Sequence, residues 1–396
     1  MQILLFIIGL ILFISLVIVH EWGHYWVAKR NGVKALEFGI GIPPRAWSKK
    51  LKSGVLFSLN WLPLGGFVRL KGENDEDARP HSFGAASLGA KSKIMLAGIG
   101  ANLIVGLLML TVLALIGMPK LIDKTYGAPQ DQFTVASDTK IVERDLLVGE
   151  IQDGSPAQKA GLSGHDLILS IASGSDKRDA SSAQTLHDAT QAFAGKTVTI
   201  VYKHNGAVLS KSVTLRTAEE VQPTLKTDNP KGYLGIAPLE LQIRRSTWSA
   251  PIVALGMTKQ LTVLTMQGLG HAFAGLGSLL AGFISGNHEA RQNGQAQASS
   301  QVGGPVAIGA AIWGYSSLGI TFVLTIIAII SLLLAIFNIL PIPALDGGRL
   351  FMLLFSRGLL HRPLNKQVEE RVVATSMVLL LVLFVLITVV DVRRFL

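Results

Sequence analysis

Four long apolar runs limit what this chain can become: Ile3 to Val19, Ile94 to Met118, Ile320 to Leu340 and Val372 to Val390. A helix needs roughly 20 apolar residues to cross the hydrocarbon core of a bilayer, and each run reaches or approaches that length. Only 16% of the 396 residues are charged, 49% are hydrophobic and mean hydropathy is +0.45. Charge is too sparse for an ordinary soluble domain. The first run has no basic leader and no small-residue cleavage site, so it is expected to stay as a span rather than leave as a signal peptide. Cysteine is absent, which excludes disulfides, thiolate metal ligands and a cysteine nucleophile. The predicted fold class is an α-helical polytopic membrane protein, with about four transmembrane helices, carrying an inserted β-rich segment.

The charges set the expected topology. Net charge is +10, and Lys and Arg crowd the segment from Lys29 to Lys93 and again from Arg349 to Arg371. Short loops rich in these residues stay in the cytoplasm. Both termini and the long middle segment are then expected on the outer side of the membrane. The same placement ties the positive charge to membrane lipid and gives no reason to invoke nucleic acid.

The expected divisions are 1–128 for the first two spans, 129–240 for a β-rich domain, 241–304 for amphipathic helices and a polar linker, and 305–396 for the last two spans. Within 129–240, GSPAQKAGL at Gly154 to Leu162, a hairpin turning at Asn205-Gly206 and GYLGIAPLEL resemble a PDZ domain of the circularly permuted bacterial kind. His165 stands where such domains usually carry glycine. The resemblance implies a peptide ligand added as a strand to a sheet edge. Pro251 to Ile284 reads as one or two amphipathic helices on the membrane, with a fifth span, which would invert the later topology, as the competing view, and Ser285 to Gly304 reads as a linker.

The chemistry concentrates in VIVHEWGHYW. His20, Glu21 and His24 form H-E-x-x-H, and positions i and i+4 share a helix face. Both imidazoles can reach one zinc ion with Glu21 beside it as general base. Two histidines at a helix end are an alternative use, but three ionisable groups inside a span are costly and usually functional. A catalytic zinc takes three protein ligands and an open position. Glu37 lies in the basic loop and is a poor third ligand. Asp346 in FNILPIPALDGGRL is the better candidate, although Asp-Gly also serves as a plain turn. Pro341 and Pro343 break the helix just before it, and irregular backbone at membrane depth needs protein or a watery cavity around it. His20 lies 17 residues after Ile3, roughly 25 Å along the helix, so both motifs arrive near the cytoplasmic side.

The pair H-E-W-G-H and N-x-x-P-x-P-x-L-D-G-G, with a PDZ-like domain between them, resembles the bacterial site-2 protease family of intramembrane zinc metalloproteases, of the regulator of sigma-E protease type. The resemblance implies zinc on His20, His24 and Asp346, Glu21 as catalytic base and Asn338 as a substrate-binding residue, whose alternative use is an interhelical hydrogen bond. It implies single-span membrane substrates, such as anti-sigma factors or remnant signal peptides, cut by regulated intramembrane proteolysis. GVLFSLNWLPLGGFVRLKG at Gly54 to Gly72 is similar to the family's membrane-reentrant hairpin, and an edge strand around Val55 to Leu59 is expected to hold an unwound substrate. AGIGANLIVG is similar to its second-span motif, with Gly98 and Asn102 in place but Ile99 where proline is common. A PDZ-bearing membrane adaptor without catalysis is the competing reading; it would have been favoured by loss of Glu21 or a ligand, and all are present.

Overall fold

The computed structural model describes residues 1–73, 79–124, 128–204, 206–227, 230–285, 304–362 and 364–395. The chain divides into two compact units, Met1–Leu115 with Trp248–Leu396, and Ile116–Thr247. The second begins earlier and ends later than the 129–240 read from the sequence.

In the first unit, α1 (Gln2–Arg30) leads through β1 (Ala35–Lys50) and β2 (Leu56–Leu70) to α2 (Leu88–Ile116). Lys29 and Arg30 in the last turn of α1 complement the negative end of its dipole. α2 runs unbroken through Ile99, so the position that carries proline in similar sequences imposes no break here. In the second unit, β3 (Met118–Pro119), β4 (Lys140–Ile151), α3 (Pro156–Lys159), β5 (Leu167–Ser173), β6 (Asp176–Asp179), α4 (Ala183–Ala192), β7 (Thr197–His204), β8 (Ala207–Thr214), α5 (Ala218–Val221) and β9 (Ile236–Arg245) follow. The chain then returns to the first unit as α6 (Ala250–Ser285), α7 (Pro305–Ser316), α8 (Ile320–Asn338), α9 (Asp346–Leu354) and α10 (Lys366–Phe395).

Four helices, α1, α2, α8 and α10, are long and apolar enough to cross a membrane. Leu5 and Leu16 of α1, Ile312 of α7 and Val323, Ile327 and Ile330 of α8 form one buried cluster. The helices meet closely where side chains are missing. A Cβ on Gly9 would stand 2.6 Å from Ile312, and one on Gly106 would stand 2.7 Å from Leu332. Small residues at crossings let helix backbones approach where no hydrophobic force drives them together. A second cluster, Ala28, Val33, Ala35, Val55, Leu70, Phe83, Ile94, Met95 and Leu353, ties the end of α1 to the hairpin, α2 and α9. α10 exposes most of its apolar surface, with Leu379 at 64%, as a helix facing lipid would. The 36 residues of α6 form one continuous helix, the single-helix form of the expected arrangement. Of the expected linker, residues 286–303 lie outside the described residues.

The hairpin differs from expectation. Leu56, Phe57, Ser58 and Leu59 have partners on both sides, Glu37, Phe38, Gly39 and Ile40 on one and Lys50, Lys49, Ser48 and Trp47 on the other. The stretch around Val55 to Leu59 is therefore central and not an edge. Gly66 to Leu70 pairs only with the Ala35 to Ile40 stretch and forms an edge. Glu37, buried in the central strand, takes Arg45 and Arg69 at 2.9 Å each, which binds the layers together.

The second unit is a seven-stranded sheet in the order β3-β9-β4-β5-β7-β8, with β6 paired to β5. Leu146 and Val148 of β4, Ile168 and Ile171 of β5, which flank an irregularity in its pairing with β7, and Val198 and Ile200 of β7 fill one core with Leu186 and Ala189 of α4. Ser182 and Thr185 cap α4 reciprocally, satisfying two orphan amides at its start. His165 adopts φ 69° and donates its amide to Val148 O at 2.7 Å, so it fills the glycine position in a left-handed turn. β7 and β8 pair in register to His204 and Ala207; of the expected turn, Asn205 lies outside the described residues, and Gly206 has φ 91°.

Candidate metal centre

α1 presents His20 and His24 one turn apart, as the i, i+4 spacing dictates. Their rings meet edge to face with centroids 4.8 Å apart, and their Nε2 atoms stand 3.2 Å apart. Asp346, the first residue of α9, places Oδ2 3.1 Å from Nε2 of each histidine. The three side chains are mostly buried, 12, 13 and 19% exposed. Donors bound at about 2.0–2.2 Å around one tetrahedral zinc lie about 3.3–3.6 Å from one another. The spacings here are within a few tenths of that, and two nitrogens with one carboxylate oxygen are zinc's ordinary donors. These atoms form the group of potential metal ligands found among the described residues.

Asp346 reaches the site through a chain reversal. α8 ends at Asn338, Pro341 and Pro343 keep the chain from continuing as helix, and α9 folds back against the turn. Leu345 N donates to Ile342 O and Ala344 N to Oγ of Ser376 on α10. Gly347 and Gly348 sit where no side chain fits. A Cβ on Gly347 would run into the Ile339 carbonyl, and one on Gly348 into that of Ile342. The D-G-G triplet thus encodes the close contact that aims the carboxylate.

α2 forms the other wall. A Cβ on Gly23 would stand 2.6 Å from Ala97 O, and one on Gly98 would meet both imidazoles. Without these side chains the helices close, and the Ile94 carbonyl comes within 2.8 Å of His24 Nδ1. Asn102 Nδ2 lies 3.4 Å from His20 Nδ1, and Ser331 Oγ of α8 donates to Asn102 O at 2.8 Å. Metal-binding histidines generally engage their remote nitrogen in this way. A backbone carbonyl such as that of Ile94 leaves no side-chain signature, and its part in the site is invisible to motif reading.

Glu21 lies beside the cluster, and the hairpin edge covers it. A Cβ on Gly66 would stand 3.1 Å from Glu21 Cγ and 3.5 Å from Val17. The structure thus gathers His20, His24 and Asp346, with Glu21 adjacent. Asn338 is not drawn in. Its Nδ2 donates to Leu334 O of its own helix at 2.9 Å, a contact within the helix and not between helices.

Comparison with known proteins agrees with this geometry. Residues 8–383 match the model of Peptidase family M50. A Clostridium perfringens protein whose name proposes a zinc metalloprotease is 28% identical over 390 residues, covering 98% of both chains. The regulator of sigma-E protease RseP of Escherichia coli is 24% identical over 455 residues, covering 93% of this chain and 94% of that one. The regulator of sigma E protease of Haemophilus influenzae is 23% identical, with 92% of each chain covered.

Proposed function

The chain is a zinc metalloprotease belonging to peptidase family M50, and we propose that it cleaves the membrane-spanning segments of single-span proteins at the His20–His24–Asp346 centre. The observation that carries this reading is the meeting of three donor atoms, mutually 3.1–3.2 Å apart, two on a helix long and apolar enough to cross a membrane and the third on the short helix that follows another. His20 and His24 hold the metal through Nε2 and Asp346 through its carboxylate. Zinc bound there supplies Lewis acidity that makes water a nucleophile near neutral pH.

Glu21 takes the proton of the attacking water and delivers it to the leaving amine. Asn338 holds the substrate backbone, which requires its amide to turn away from the Leu334 carbonyl. A substrate helix hides its peptide carbonyls in its own hydrogen bonds and has to be drawn out before attack. The Gly66 to Leu70 edge, one-sided in its pairing and next to Glu21, offers the extended segment a strand to join.

Residues 116–247 act as a PDZ-like filter for peptide. In support, β9 pairs with β4 along its length but with β3 only at Ile243 and Arg244, and the Glu240 carboxylate reaches Ala183 N of α4 at 3.5 Å. A strand edge beside a helix is the form in which such grooves take peptide. The concentration of Lys and Arg between α1 and α2 supports a cytoplasmic hairpin and an extracytoplasmic second unit. The substrates would be single-span proteins of the anti-sigma-factor or remnant-signal-peptide kind.

Glu21→Gln tests the reading. The variant should keep stoichiometric zinc and lose cleavage of a single-span test substrate by about 10²–10⁴-fold, the range that general acid–base catalysis supplies. Cleavage at the wild-type rate would refute the assignment.

A further inference from the structure

Three residues of α2 that touch or flank the histidines, Ile94, Gly98 and Asn102, are four apart and share one helix face. Ile94 offers His24 a carbonyl oxygen, which only accepts, so His24 Nδ1 carries the proton and its Nε2 lone pair faces Asp346. Asn102 faces the equivalent nitrogen of His20, but with its amide donor, 3.4 Å away. Its Oδ1 is buried with no partner among the described residues, and the residue is 1% exposed. A buried oxygen left without a donor is a standing cost to the fold. Ligation through Nε2 puts the proton of a neutral imidazole on Nδ1, where it needs an acceptor oxygen and not an amide N–H. A half-turn of the carboxamide exchanges its oxygen and nitrogen and meets both demands.

We propose that Asn102 is a positioning residue for His20: its Oδ1 accepts from His20 Nδ1–H, fixing the tautomer that turns Nε2 toward the metal. This rests on the zinc site proposed above. The carboxamide serves both states of the ring. It donates to Nδ1 when His20 carries its proton on Nε2, and accepts from Nδ1–H when Nε2 holds metal. α2 thereby orients both histidines, one through its backbone and one through a side chain.

Two substitutions separate the role from packing. Asn102→Asp keeps an acceptor of the same shape, and Asn102→Leu keeps the size and removes it. The probe is Co²⁺ or Zn²⁺ titrated into full-length apo protein in detergent against a competing chelator, with the visible bands of the Co²⁺ form recorded. Asn102→Asp should bind within about threefold of wild type. Asn102→Leu should bind about 10–100-fold more weakly, the usual loss when a histidine's outer partner is removed, and should shift the Co²⁺ bands. Ser331→Ala deletes the bond to the Asn102 backbone, leaves the amide intact and should not change affinity. Equal weakening in the Asp and Leu variants, equal weakening in Ser331→Ala, or wild-type binding by Asn102→Leu would each overturn the proposal. Wild-type protein that takes up no stoichiometric metal would instead sink the zinc-site reading itself.

Discussion

Gly98 sets how near the histidine rings come to the second span. An added Cβ would lie 2.6 Å from His20 Cε1 and 2.7 Å from His20 Nε2, a separation that no small rotation relieves on both rings. Gly98→Ala should therefore lower bound zinc well below one per chain and cost about 1–3 kcal/mol through overpacking. Gly100→Ala is its control on the same helix, since nothing lies within 4 Å of that position. It should keep full zinc and gain up to about 1 kcal/mol from helix propensity. Metal content by elemental analysis and thermal melting of the two proteins decide the matter. At this scale the sequence was informative about ligands and weak about their supports. His20, Glu21, His24 and Asp346 announce themselves as polar residues in apolar surroundings. The Ile94 carbonyl and the bare Cα of Gly23 carry no chemistry of their own and emerge only when two helices are seen to cross.

The turn and helix that deliver Asp346 behave as one element. α9 lies against the turn between Asn338 and Leu345, and the two residues after Asp346 are glycine because the backbone of that turn occupies the space. Gly348→Ala should push α9 off the turn and carry the carboxylate with it. The expected result is at least about a tenfold loss of proteolysis, since misplacement by about 1 Å costs up to 10²-fold, together with reduced zinc. Normal zinc with normal activity would show that the turn yields. The hairpin marks where sequence reading ended. Likeness to the family's reentrant hairpin, with its paired glycines, located it, but sequence patterns of this kind fix neither strand order nor which strand lies at the edge. Leu56 to Leu59 is central because Glu37, which looks like a misplaced acid in a basic loop, binds Arg45 and Arg69 on either flank. No local pattern reveals that arrangement.

At the scale of the whole molecule, the two units differ in how they were read and in how they should behave. Apolar run length alone located the four helices that, among the described residues, are long and apolar enough to cross a membrane. The β-rich unit was found from short β-like runs and turn chemistry, and the compact unit runs past 129–240 because it takes in β3, of only two residues, and the charged end of β9. Its core is complete within Ile116–Thr247, so a fragment of these residues should fold alone and melt in one cooperative transition, monitored by circular dichroism. A broad, non-cooperative melt would contradict that self-sufficiency. The membrane unit has no such independence along the chain, because His24 and Asp346 are separated by 322 positions. At about 5–20 residues per second of synthesis, roughly 15–60 s pass between the translation of H-E-W-G-H and that of the aspartate. Throughout that interval the nascent chain lacks one of the three residues proposed to hold zinc. On that proposal, ribosomal order alone leaves the centre incomplete while the rest of the polypeptide is still being inserted.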